Sequence, residues 1–268
     1  MPHRPNSPLA PALAPALAPE LAPALAPALA PAQTPVERRS FLARVGAGLA
    51  AFSAAVAAPS VVLAQPGSPE RAHAQGSDFR PARHAQDDWF DQLPGVHRFF
   101  FDATSPTGAG DAITFASNFY VANKSGYGLE AKDLAVVICL RHWATPFAFS
   151  DEMWAKYGPA LAERIKFTDP KTKAAPTTNV YQADDYGMLL TNRGTTLDAM
   201  VKRGTHFAVC DMATRAFAGI AAAKTGGKAE EIYQELKATA VANSHFMAAG
   251  IVAVNRAQER GYSLQYIG

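Results

Sequence analysis

The chain has 268 residues, 49% of them apolar, and its 25 Lys and Arg against 23 Asp and Glu leave a formal charge of +2. Much of the arginine lies in the first 88 residues, and with neither a basic stripe nor an acidic tail elsewhere the composition argues against a nucleic-acid-binding role. From about Trp89 to Gly268 roughly 180 residues carry apolar periodicity, a length that suits a single domain with a substantial core.

Residues 8–32 repeat Leu-Ala-Pro-Ala almost without variation. Proline at this frequency removes helix donors, and the small side chains offer little area to bury, so segment 1–35 is expected to be disordered or extended. It is long for a leader, which suggests that translation begins further downstream, Val36 being one candidate start.

Arg38-Arg39-Ser40-Phe41-Leu42 then precedes an apolar run, 45–58, rich in Ala and Gly. The run falls short of the about 20 residues that span a bilayer and reads as the hydrophobic region of an export signal. Segment 36–64 resembles a bacterial twin-arginine signal: Arg38, Arg39, Phe41 and Leu42 match its pattern, while Glu37 and Ala43 depart from its first and last positions. Val62-Leu63-Ala64 and Ala72-His73-Ala74 both offer small residues for cleavage, and the cut is expected after Ala64. The resemblance implies transport of the folded protein by the twin-arginine translocase into the periplasm, with no membrane association after cleavage. Residues 65–88, rich in Pro, Gly, Ala, Arg and Gln, read as a solvated linker.

The domain, 89–268, alternates strands and helices. His97 to Asp102 is a short apolar run closed by a Ser-Pro-Thr-Gly turn, the pattern of a buried parallel strand. A helix follows from Asp111 to about Asn123, and Leu134–Leu140 is a second, wholly apolar strand. Ser150 and Asp151 cap a helix carrying Met153 and Trp154, and Thr195 with Asp198 resembles a capping box opening a helix that Gly204 stops. The third strand is His206–Cys210. Helices are predicted at Thr214–Lys224, Ala229–Ala242 and Gly250–Arg260, and Tyr262–Ile267 closes the chain as a strand. Such alternation predicts an α/β fold, a mostly parallel sheet with helices on both faces.

Two stretches, Arg203-Gly204-Thr-His-Phe-Ala-Val-Cys210 and the more specific Ala-Gly-Ile-Val-Ala-Val-Asn-Arg-Ala-Gln-Glu-Arg-Gly-Tyr (249–262), resemble the DsrE/DsrF-like superfamily, and 140–149 is similar to an exported subgroup of it. The resemblance covers about 97–268. It implies a five-stranded flavodoxin-like sheet, homo-oligomers or association with related sulfur-relay subunits, and, in several members, a cysteine matching Cys210 that accepts or passes sulfur. The long insertion between the second and third strands departs from the compact members.

With strand order 2-1-3-4-5, the crevice beyond the carboxyl ends of strands one and three is the switch point where open α/β sheets bind ligands. Cys210 ends strand three. The loop Thr107-Gly108-Ala109-Gly110-Asp111 would face it, its glycines letting amides approach a small anion. Ile113 stands where a dinucleotide fingerprint needs Gly, so no nucleotide and no other cofactor is expected.

Thiolate is the reactive form of cysteine, with an ordinary pKa of about 8.5, so a working Cys210 needs a cation or a helix N-terminus. Arg141, His142 and Arg215 are the candidates, His142 also as a group that orients a ligand or exchanges a proton. The alternative readings are Cys210 as a small core hydrophobe and His142 as a hydrogen-bonded structural residue. In this strand order Cys139 and Cys210 lie near 10 Å apart, beyond the roughly 7 Å a disulfide tolerates, so both are expected free. His97, His206 and His245 lack metal-ligand spacing. Trp143, Trp154 and Phe147 wall the crevice or fill the core. Three functions remain open: a periplasmic sulfur-relay or thiol protein using Cys210, a binding protein for a small ligand, and a non-catalytic oligomeric accessory subunit.

Overall fold

The computed structural model describes residues 80–268. Segment 1–35, the signal with Arg38, Arg39, Phe41, Leu42 and Ala64, and residues 65–79 of the linker lie outside the described residues. Five strands, β1 (His97–Ala103), β2 (Leu134–Leu140), β3 (His206–Cys210), β4 (Ser244–Met247) and β5 (Ser263–Ile267), form one all-parallel sheet in the order β4-β3-β2-β1-β5. Among the described residues seven α-helices accompany them: α1 (Trp89–Gln92), α2 (Pro106–Tyr127), α3 (Asp151–Ile165), α4 (Leu197–Lys202), α5 (Asp211–Thr225), α6 (Ala229–Ala238) and α7 (Gly250–Gln258).

The expected α/β class, parallel sheet and helices on both faces are present, but the order is not 2-1-3-4-5. The chain steps from β1 to β4 in one direction, so crossovers of one hand put the intervening helices on one face. There they pack on Phe101, Val136, Ile138 and Phe207. The return to β5 runs the opposite way and places α7 on the other face, with α1, against Phe100, Ala135, Val137 and Ala208. β2 is buried at all seven positions, as a central parallel strand requires. No helix among the described residues is long and apolar enough to cross a membrane.

Ser105-Pro106-Thr107-Gly108 is a helix start rather than a free turn. Ser105 is the N-cap of α2, its Oγ accepting the Gly108 amide at 2.9 Å, and Pro106 fills the first turn, where its missing N–H costs nothing. Gly108 and Gly110 are therefore helical. The insertion between β2 and α4 folds back over this helix start. Tyr181 Oη donates to Pro106 O at 2.7 Å, Thr191 Oγ1 to Thr107 O at 3.0 Å and Thr114 Oγ1 to Thr191 O at 2.6 Å.

Packing begins upstream of Trp89, inside the expected linker, because the short turn Ala85–Asp87 and α1 clasp the second face of the sheet. Asp87 is 1% exposed. Phe90 packs on Phe100 and Tyr262, Tyr262 Oη and Arg98 Nη1 both donate to Phe90 O, and Arg260 Nε donates to Asp91 at 3.0 Å. Trp89 stacks at 3.9 Å on His245, whose Nε2 lies 2.8 Å from His206 Nδ1.

That histidine pair makes stability pH-dependent. Burial, with His206 adding to it, pushes the pKa of His245 down from 6.5 to about 4, and burial lowers that of His206 as well. Between these values the unfolded chain binds more protons than the folded one, so stability is complete above pH 6.5 and falls as pH drops toward 4. Discounted for half exposure, the loss is about 1–2 kcal/mol. Urea midpoints measured from pH 7.5 to 4 should show it, and His245→Phe, which keeps the stack and loses the proton, should flatten the curve.

Candidate functional site

The carboxyl edge of the sheet gathers Asp102, Arg141, Cys139 and Cys210. Asp102 and Cys139 are register partners, as are Cys139 and Ala208. Side chains alternate along a strand, so Arg141 and Cys210, each two residues further on, project to the same face. Cys139 and Cys210 thus lie on adjacent strands, not two strands apart as the expected order had it. Their separation is that of a diagonal pair, about 7–8 Å, at the limit a disulfide tolerates. Both are free thiols.

The two differ in surroundings. Cys139 is fully buried, its Sγ 3.9 Å from Gly250 O, and burial, then the Asp102 charge, push its pKa well up. That is an unreactive thiol. Cys210, 8% exposed, closes β3 and serves as the N-cap residue of α5, at the positive end of the helix dipole. Its side chain makes no capping hydrogen bond, and its carbonyl accepts Thr214 Oγ1.

The cations expected to assist Cys210 are engaged elsewhere. Arg141 forms a two-pronged ion pair with Asp102, Nε to Oδ1 at 2.6 Å and Nη2 to Oδ2 at 2.8 Å, and the hydrogen bond to Asp102 raises its pKa further. Arg215 is exposed, pairs with Asp211 and Glu230, and stacks 3.8 Å over Tyr233. His142 is exposed at the start of a 3-10 turn, at φ 55, stacked on Trp143.

Gly108, Gly110 and Asp111 do not face Cys210 across a single crevice, because β2 lies between β1 and β3. Their glycines serve close packing: a Cβ on Gly108 would meet Ile267 O at 2.7 Å, and one on Gly110 would press into Thr191 and Tyr181. The direction of the chain reverses between β1 and β5, and that switch point is closed by Thr104, whose amide donates to Ile267 O and whose Oγ1 lies 3.1 Å from Tyr266 Oη. Trp154 and Phe147 are core, fully buried.

Open space lies instead at the ends of β3 and β4. A cavity of about 200 Å³ there is lined by Asp211, which follows Cys210 in the chain, and Met247, its register partner in β4. Asp87 and Lys237 also line it. The Asp211 carboxylate accepts Tyr233 Oη at 2.7 Å and pairs with Lys237, whose pKa is raised by its hydrogen bond to Tyr233. Sequence reasoning missed this cavity, since Asp87 was assigned to the linker. Among the described residues no group of three or more His, Cys, Asp or Glu could hold a metal. Comparison with protein-family models, with curated proteins and with solved structures found no match.

Proposed function

We propose that this chain is an exported thiol protein in which Cys210 accepts and passes on sulfur. The observation that carries the reading is the position of Cys210: the carboxyl end of a parallel strand, a helix N-cap, and a polar cavity alongside. The carboxyl ends of parallel strands are where such sheets take ligands. The chain's resemblance to the DsrE/DsrF-like superfamily and to twin-arginine signals supports sulfur as the cargo and the periplasm as the place.

The step needs no external oxidant. The Cys210 thiolate attacks the outer sulfur of a persulfide R–S–SH, the donor S–S bond breaks, R–S⁻ leaves, and Cys210 becomes Cys–S–SH. Thiosulfate serves equally, with sulfite as the leaving group.

Intact-mass spectra before and after exposure to thiosulfate test this. Whole sulfur atoms should add to the wild type and to Cys139→Ser, and none to Cys210→Ser. An unreactive Cys210 would remove the sulfur-carrier reading and leave ligand binding or an accessory role.

A further inference from the structure

The two edges of the sheet differ. β4 is four residues long and half-buried at three of them, with Trp89 stacked on His245 and Lys237 over Phe246. β5 is exposed at four of its five positions, and among the described residues no strand pairs with its outer side. Its register against β1 is continuous, without a bulge, and Ser263-Leu-Gln-Tyr-Ile267 contains no proline and no charge. Those are the devices that keep exposed edges apart, so β5 is a strand open to pairing.

One bond fixes which backbone groups are free. Ile267 O accepts the Thr104 amide on the β1 side, and alternate residues of a strand turn their N–H and C=O to opposite sides, so Leu264 and Tyr266 hold theirs outward. The side chains of both lie on the sheet face that carries α7, and they are 39% and 62% exposed. A hydrogen bond of 3.1 Å to Thr104 Oγ1 holds the Tyr266 hydroxyl in place. α7 extends the same surface. Gly250, Ala253 and Ala257 face the sheet and Arg256 turns to Asp87 beside β4, so Ile251, 63% exposed, and Gln258 turn towards β5, where Gln258 Nε2 donates to Tyr262 O.

We propose that β5 is a dimer seam, two copies pairing β5 with β5 antiparallel about a two-fold axis through Gln265, so that two five-stranded sheets become one of ten strands. In this register Leu264 of each copy lies opposite Tyr266 of the other and exchanges both hydrogen bonds with it, which satisfies every outward group of both strands and packs an aliphatic side chain on an aromatic one. The occupant is a second copy because the strand is its own complement, as a two-fold axis requires, and carries no charge to repel itself. With Ile251 the seam covers roughly 500 Å² per copy, about 1,000 Å² in all, where specific interfaces begin, so association is expected in the micromolar range. Cys210, in β3, is separated from the seam by β2, β1 and β5.

Sedimentation equilibrium of the full-length chain from about 1 to 100 μM, a range that brackets so small an interface, should show monomer and dimer exchanging. Leu264→Lys, an edge charge at an exposed position, should weaken the dimer about ten-fold while leaving sulfur loading of Cys210 unchanged. Mixing Leu264→Lys with Tyr266→Glu should restore association, because the new ammonium then faces the new carboxylate. Gln265→Cys in a Cys210→Ser background should crosslink under mild oxidation, since residues that face each other across the axis in a non-hydrogen-bonded pair lie about 4.5 Å apart at Cα, within reach of a disulfide. A chain that stays monomeric throughout overturns the seam and leaves the edge to a strand of another protein. A dimer that Leu264→Lys does not weaken and Gln265→Cys does not crosslink overturns it as well, placing the contact on another face.

Discussion

Arg141→Met should destabilise the domain by about 3 kcal/mol, more than any change at Cys210, because it strands a buried carboxylate. Asp102 is 3% exposed and gives both oxygens to Arg141. Removing one partner of a buried pair leaves the other without compensation, and the 22% exposure of the Arg141 side chain places the cost at the lower end of the usual 3–5 kcal/mol. The arm has no second position, since the stem of Arg141 fills the space that a Cβ on Gly250 would need. The urea midpoint checks the cost, and the melting temperature should fall by roughly 10 °C. Removing both charges, as Asp102→Leu with Arg141→Met, should restore most of the loss. A cost below about 1 kcal/mol for the single change would mean that water solvates Asp102 as it does a surface pair. Since the guanidinium is spent on Asp102, sulfur loading of the folded Arg141→Met protein should persist.

The elements that sequence made legible are those whose pattern is local. Leu134–Leu140 is apolar at every position because it is covered on both faces, and His206–Cys210 is bounded by Gly204 on one side and a helix start on the other. β4 escaped because Ser244-His-Phe-Met is a short edge strand, half-buried at three of its four positions. Strand order is not a local property. Nothing in the alternation of strands and helices distinguishes 2-1-3-4-5 from 4-3-2-1-5, and the wrong choice moved Cys139 away from Cys210 and brought the loop after β1 towards it. The same gap hid the histidine pair: His206 and His245 are 39 residues apart and meet only because β3 pairs with β4. Ser105-Pro106 carried its own signal, an N-cap followed by proline, and reading it as a cap would have placed Gly108 and Gly110 inside α2. Asp87 carried none, since a carboxylate in a polar stretch looks the same whether solvated or buried.

Asn179→Ala should cost about 3–5 kcal/mol and loosen the insertion that seals the start of α2. The side chain is fully buried and satisfies three backbone groups: Nδ2 donates to Phe147 O at 2.8 Å and Phe149 O at 2.9 Å, and Oδ1 accepts the Tyr181 amide at 3.1 Å. Alanine leaves all three unpaired, at about 1–3 kcal/mol each before relaxation. Tyr181 is among them, and its hydroxyl holds Pro106, so the damage reaches α2. Urea unfolding gives the cost, and hydrogen exchange shows where it falls: the first-turn amides of α2 should exchange faster together with residues 166–196. Exchange confined to the insertion would mean that it folds as a separate layer. The variant also separates the two ends of the sheet edge. Cys210 and its cavity sit at β3 and β4, the sealed helix start at β1, and β2 stands between them. Sulfur loading that survives loosening of the insertion therefore places the chemistry at the β3–β4 end, whereas loss of loading in a folded Asn179→Ala protein would return the crevice beside β1 to the site.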